Sequence, residues 1–141
     1  FLFFGHGALW RAGDARLAEN DLGRAHYRAL YFIARQPGLT ISDLLALLGI
    51  TKQSLGRVIK DLEAREMLVT RPGNRDRRQK ELRLTPAGRA VEAAVFGQLR
   101  DAMSRAYTHA GQAAVTGFWQ VSEALMPPRE RERVAKLGSE A

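Results

Sequence analysis

The chain has no cysteine, only three histidines among its 141 residues, and a shortage of acid, with 15 Asp or Glu against 22 Lys or Arg. Without cysteine there can be no disulfide framework, thiol-based redox sensing or Cys-ligated metal centre. His6, His26 and His109 lie far apart and show no metal-ligand spacing, so a metal site would need convergence in the folded chain. No apolar run approaches the roughly 20 residues of a membrane-spanning helix. The apolar opening Phe1-Leu2-Phe3-Phe4 breaks at Gly5 and Gly7 and has no basic leading segment, so no membrane association is expected. Because the chain opens on Phe, native residues are expected ahead of it. Gly5-His6-Gly7 lacks the strand-to-helix setting of a phosphate loop and reads as a helix start. No constellation of nucleophile, base and orienting group emerges, so an enzyme is not expected. Nor does any residue pattern call for a cofactor.

What is present is a basic protein, net +7 and 45% hydrophobic, long enough for one core and in need of no second domain. Its charge is concentrated. Residues 52 to 80 hold nine Lys or Arg and four Asp or Glu, a surplus of five, as a local polyanion footprint requires.

Residues 40 to 85 have the clearest order. Thr40-Ile41-Ser42-Asp43 resembles a capping box, and Ile41, Leu44, Leu45 and Leu48 form an apolar stripe that stops at Gly49, a residue suited to the left-handed end of a helix. Thr51 then stands where an N-cap belongs. In the helix that follows, Leu55, Val58, Ile59 and Leu62 recur at i, i+3, i+4 and i+7, leaving Lys52, Gln53, Gly56, Arg57 and Lys60 on the opposite face. Only Gly49 and Ile50 separate the two helices from cap to cap, a spacing that fits a helix-turn-helix. Beyond Leu62 the pattern becomes extended. Met67–Arg71 and Lys80–Leu84 read as the strands of a hairpin whose tip is Pro72-Gly73-Asn74-Arg75-Asp76-Arg77-Arg78. Thr85-Pro86 caps and opens a further helix, since proline at the first helical position loses only an N–H that would have no partner. Two helices, a turn and a basic hairpin in this order predict a winged helix-turn-helix, with double-stranded DNA as its partner.

The segments PGLTISDLLALLGITKQSLGRVIKDLEAREMLVTR and NRDRRQKELRLTPAG resemble the MarR family of bacterial transcription regulators, and the likeness extends over nearly the whole chain. Asp76-Arg77-Arg78 followed by Leu84-Thr85-Pro86-Ala87-Gly88 carries the family's signature. Leu22 to Leu30 resembles the helix ahead of the motif, with Gly23 where a Thr or Ser cap is common.

The resemblance implies a cytoplasmic homodimer in which each second helix enters a major groove and each wing reaches the neighbouring minor groove. Gln53, Ser54 and Arg57 match positions that contact bases or phosphates. The chemistry agrees, because Gln pairs with adenine and Arg with guanine in the major groove. Ser54 has a second reading, in the first turn of its own helix. Lys52 and Lys60, at the helix edges, suit phosphates. Arg78 matches the wing arginine inserted into the minor groove, Arg75 and Arg77 are phosphate contacts, and Asp76 either orients a nearby Arg or closes the turn.

The expected fold is therefore mainly α with a small β-hairpin wing, one unit over 1–141. Residues 22–86 form the DNA-binding module, and 1–21 and 87–137 supply N- and C-terminal dimerisation helices. Phe1 to Phe4, Leu9 and Trp10 at one end suit that task, as do Val91, Val95, Leu99, Met103 and Ala106 after the wing and a final helix from Val115 to Leu125 that ends at Pro127-Pro128. The family also implies a repressor on a pseudo-palindromic operator, released by a small molecule. A pocket for an aromatic or phenolic ligand is expected from Trp10, His26, Tyr27 and Tyr31, with Phe118 and Trp119 as further candidates and Arg11, Arg24 or Arg28 pairing an acid group. Two other readings stand beside this one: a non-specific architectural or adaptor DNA-binding protein, and a metal-responsive regulator.

Overall fold

The computed structural model describes residues 1–36, 38–73 and 79–139. Along the chain these form α1 (Leu2–Ala18), α2 (Arg24–Arg35), α3 (Ile41–Leu48), α4 (Lys52–Ala64), β1 (Leu68–Pro72), β2 (Lys80–Leu84), α5 (Pro86–Ala110), α6 (Gln112–Leu125) and α7 (Pro128–Ser139).

Caps set the boundaries of the central elements. The Thr40 hydroxyl accepts the Asp43 N–H at 3.1 Å while the Asp43 carboxylate accepts the Thr40 N–H at 3.2 Å, so two orphan donors of α3 are satisfied reciprocally. Gly49 ends α3 at φ 61°, the left-handed region that a residue without Cβ enters freely. The Thr51 hydroxyl accepts the Ser54 N–H at 3.1 Å and starts α4. The α4 stripe packs as its spacing requires: Leu55, Val58, Ile59 and Leu62 are all buried, against a core that includes Leu30, Ile33, Leu44, Leu48, Leu82 and Leu84.

β1 and β2 pair antiparallel from Leu68↔Leu84 to Pro72↔Lys80. The first strand is shifted one residue from the expected Met67–Arg71, because the Met67 N–H still closes the end of α4 by donating to the Leu62 carbonyl at 2.9 Å. Proline ends β1 without cost to an interior ladder. A single bridge between Thr40 and Glu81, and a 2.9 Å bond from the Leu82 N–H to the Leu39 carbonyl, pin the hairpin to the start of α3.

Pro86 occupies the first position of α5, and the Thr85 hydroxyl accepts the Gly88 N–H at 3.1 Å. Here glycine is required by contact rather than by backbone angle. A Cβ on Gly88 would sit 2.0 Å from the Met67 carbonyl oxygen, so α5 can lie against the end of α4 only without one. Further along α5, Val95 is buried and Leu99 reaches Gly13 of α1, turning the stripe from Val91 to Leu99 toward its own chain.

After Gly111 the chain folds back as α6, which buries none of its residues. Phe118, Trp119, Val121 and Leu125 stay exposed, as do Phe1 to Phe4 at the other end. The expectation that the last helix ends at Pro127-Pro128 is corrected. α6 does end at Leu125, but Pro128 takes the first position of one more helix, where its missing N–H costs nothing.

Candidate DNA interface and an aromatic cavity

Lys52, Gln53, Ser54, Arg57 and Lys60 are all exposed on α4. Gln53, Arg57 and Lys60 follow at i, i+4 and i+7 and so run along one face, away from the buried stripe. The acids of α4 are engaged elsewhere. Glu63 accepts the Thr70 hydroxyl at 2.5 Å, and Asp61 lies 3.3 Å from His26 of α2. Among the described residues, Lys52, Arg57 and Lys60 take part in no ion pair. The helix therefore presents unpaired positive charge outward, as a phosphate backbone demands, while its two acids contact neighbouring elements. Of the two readings of Ser54, the cap contact is present: its Oγ accepts the Thr51 hydroxyl at 2.9 Å.

The wing residues Arg75, Asp76, Arg77 and Arg78 lie outside the described residues. At the base of the tip the Gly73 N–H donates to the Gln79 carbonyl at 2.8 Å, and Arg71 and Lys80 are exposed on the strand ends that lead to it.

A second feature lies between α1, α2, α5 and α6, where a cavity of about 910 Å³ is walled by Trp10, Tyr27, Tyr31, Phe96, Tyr107 and Trp119, with Arg24, Arg28 and Arg100 among its polar groups. Trp10 meets Tyr27 edge to face at 5.6 Å, and its indole N–H donates to His6 at 3.0 Å. The Tyr27 hydroxyl is buried with no hydrogen-bond partner among the described residues. Burial, and after it the Glu92 carboxylate, hold this phenol above its usual range, so it remains a neutral donor. An unpaired buried hydroxyl costs about 1–3 kcal/mol.

Behind the aromatic wall Arg35 of α2 binds Glu92 of α5 at 2.7 Å, with its guanidinium 3.7 Å from the Tyr31 ring centre and 4.5 Å from that of Phe96. Arg24 binds both carboxylate oxygens of Asp14, at 2.7 and 2.5 Å, and these hydrogen bonds lower the Asp14 carboxyl below its usual range.

Trp10, Tyr27, Tyr31 and Trp119 thus come together, with Arg24 and Arg28 beside them; Arg11 and Phe118 are not on the wall. His26 requires a correction. Its ring leaves the cavity, accepting the Gly23 N–H at Nδ1 (3.0 Å) and approaching Asp61 through Nε2. The reason is the capping geometry: His26 is the third helical residue, and its ring satisfies the Gly23 N–H that α2 leaves without an intrahelical partner. Phe96, Tyr107 and the Arg35–Glu92 pair were not anticipated. A stripe at Phe96, Leu99, Met103 and Tyr107, and an acid among Val91, Val95 and their neighbours, were the available signals. Among the described residues no three His, Asp or Glu side chains gather where a metal could sit.

A helix-turn-helix with a basic outer face, a hairpin wing and long flanking helices defines a winged helix-turn-helix DNA-binding protein. The MarR family model matches residues 20–79. The HTH-type transcriptional regulator PetP of Rhodobacter capsulatus is 42% identical over 136 residues, which are 96% of this chain and 82% of PetP. The fold is similar to CouR of Rhodococcus jostii RHA1 bound to p-coumaroyl-CoA, with TM-score 0.75 and 20% identity over 90% of each chain. It is also similar to a mutant MarR of E. coli complexed with operator DNA, with TM-score 0.73 and 17% identity over 89% of this chain and 91% of that one. The chain belongs to the MarR family of transcription regulators, DNA-binding proteins rather than enzymes.

Proposed function

We propose that this regulator is a cytoplasmic homodimer that represses transcription from a pseudo-palindromic operator and lets go when an aromatic carboxylate or phenolic ligand occupies the cavity. The observation that carries the DNA half is the α4 surface, where Gln53, Arg57, Lys52 and Lys60 are exposed while Asp61 and Glu63 are tied back. Gln53 and Arg57 read base edges, Ser54 steadies the first turn beside them, and Lys52 and Lys60 hold phosphates. On the wing, Arg78 enters the minor groove, Arg75 and Arg77 meet the backbone, and Asp76 orients them.

The dimer is supported by the exposed apolar ends. Phe1 to Phe4 and the α6 residues Val121 and Leu125 are exposed large apolar side chains, the kind of surface that marks protein interfaces. The ligand half rests on the aromatic wall and three nearby arginines. CouR, of similar fold, is bound to p-coumaroyl-CoA, a thioester of an aromatic acid. No helix among the described residues is long and apolar enough to cross a membrane.

The test is a salt titration of binding to the intergenic duplex beside the protein's own gene, with random duplex as competitor and protein mass measured in the same buffer. A dimer that prefers the intergenic duplex by ~10³ or more is expected. Equal affinity for both would replace specific repression by the architectural reading.

A further inference from the structure

Helix α3 ends at Leu48, just before the left-handed Gly49 turn that delivers α4. A helix C-terminus leaves carbonyls unpaired and carries partial negative charge. Two carbonyls of this last turn are taken by arginines from outside the two-helix motif. Nη2 of Arg28 donates to the Leu48 carbonyl at 2.9 Å, and Nη1 of Arg133 on α7 donates to the Ala46 carbonyl at 2.9 Å. The two differ in one respect, because Arg28 also lines the aromatic cavity and Arg133 does not.

The three cavity arginines differ as well. Arg24 is held by Asp14 and Arg100 by Asp101, so both already have a carboxylate. Arg28 has only the neutral Leu48 carbonyl among the described residues. The same turn of α2 carries His26 on its other side, 3.3 Å from Asp61 of α4. One helical turn thus faces the cavity through Arg24, Tyr27 and Arg28 and holds both helices of the DNA-reading motif through Arg28 and His26.

We infer that Arg28 is a positioning residue that couples the cavity to the helix-turn-helix. In the empty protein its guanidinium clamps the end of α3; a carboxylate in the cavity takes the guanidinium and frees the turn that aims α4. The competition favours the carboxylate, since a charged bidentate acceptor binds guanidinium more strongly than a single carbonyl does. This inference rests on the carboxylate-ligand reading given above. It adds the residue through which occupancy acts, and linkage requires that DNA weaken ligand binding by the same factor by which the ligand weakens DNA binding.

The experiment uses 4-hydroxybenzoate as probe, intrinsic fluorescence as the readout of occupancy, and anisotropy of a labelled operator duplex as the readout of DNA binding. Both tryptophans of the chain, Trp10 and Trp119, line the cavity, so their fluorescence reports on it directly. Wild type is expected to show a fluorescence change and about a tenfold loss of operator affinity at saturating probe. Arg28→Gln should bind the operator about tenfold more weakly without probe and change less than twofold on its addition. Arg28→Lys, which keeps the charge and one donor, should recover part of both. Arg133→Gln loosens α3 without touching the cavity, so it should weaken DNA binding and keep the wild-type fold-change on release.

An Arg28→Gln protein released by the probe to the same fold as wild type overturns the coupling, as does one that binds operator like wild type without probe. Wild-type tryptophans that ignore the probe overturn the aromatic-acid reading and the release step with it; the positioning of α3 is then decided by the probe-free affinity of Arg28→Gln.

Discussion

In the helix-turn-helix module Leu30, Leu44 and Leu62 are fully buried and Leu82 is 1% exposed, whereas on α6 Trp119, Val121 and Leu125 are 57%, 62% and 73% exposed. Both regions are helical and both are rich in large apolar residues. The module finds partners for them within one chain, through α2 to α5 and the hairpin, while α1 packs on α5 and α2 and α6 packs chiefly on α5. The helix that faces DNA therefore stands on a closed core, whereas the apolar ends are exposed and are where the proposed second chain would pack.

Several substitutions would sharpen or break this contrast. The largest effect is expected in the module core, where Leu62→Ala should cost about 4 kcal/mol of unfolding free energy, transfer and cavity terms together. Urea denaturation checks it, and a loss under about 1 kcal/mol would mean the core is not closed as described. Next, Val121→Asp with Leu125→Asp should leave that core intact yet turn the dimer into monomers in sedimentation. Operator affinity should drop at least about a hundredfold, near 3 kcal/mol, since two half-sites are no longer read together. Retention of the dimer would place the interface elsewhere.

Arg57→Ala should cost about 2 kcal/mol in operator binding and relax preference at a single base pair, while Lys60→Ala weakens all sequences alike and lowers the salt slope by about one. Identical behaviour of the two would remove direct readout by Arg57. On the cavity wall, Tyr27→Phe deletes a buried hydroxyl that has no partner among the described residues and should raise stability by about 1 kcal/mol. A destabilised variant would reveal that the hydroxyl is satisfied in the free protein.

The smallest expected effect is the acid dependence of the Arg24–Asp14 pair. The folded-state carboxyl is lowered from 3.8, so its contribution is present above that value and fades as pH falls through the lowered one. Asp14→Asn should therefore flatten the stability profile only below about pH 4. The pair is largely exposed and the change small.

How much could be read beforehand varied by element for a physical reason. The turn between α3 and α4 was legible residue by residue, since Thr40, Asp43, Gly49 and Thr51 act on backbone groups within four positions. Thr85 and Pro86 were legible for the same reason. The cavity was legible only in part. Trp10, Tyr27 and Tyr31 could be named as aromatic, but His26 was misplaced because its ring direction depends on the bare N–H of Gly23 and on Asp61, which is 35 residues away. α7 was missed because Pro127-Pro128 reads as a stop when only the preceding helix is considered.

The sequence by itself determined the caps, the two apolar stripes, the hairpin's strand bounds to within a residue and the local surplus of positive charge, because each arises from neighbours along the chain. Only the tertiary structure decided that Gly88 must be bare to pass the Met67 carbonyl, that Arg35 meets Glu92 across 57 positions, and that Arg28 stands between an aromatic cavity and the end of α3. Those contacts exist where separate helices cross, and no spacing within a single helix encodes which side chain another helix will bring to it.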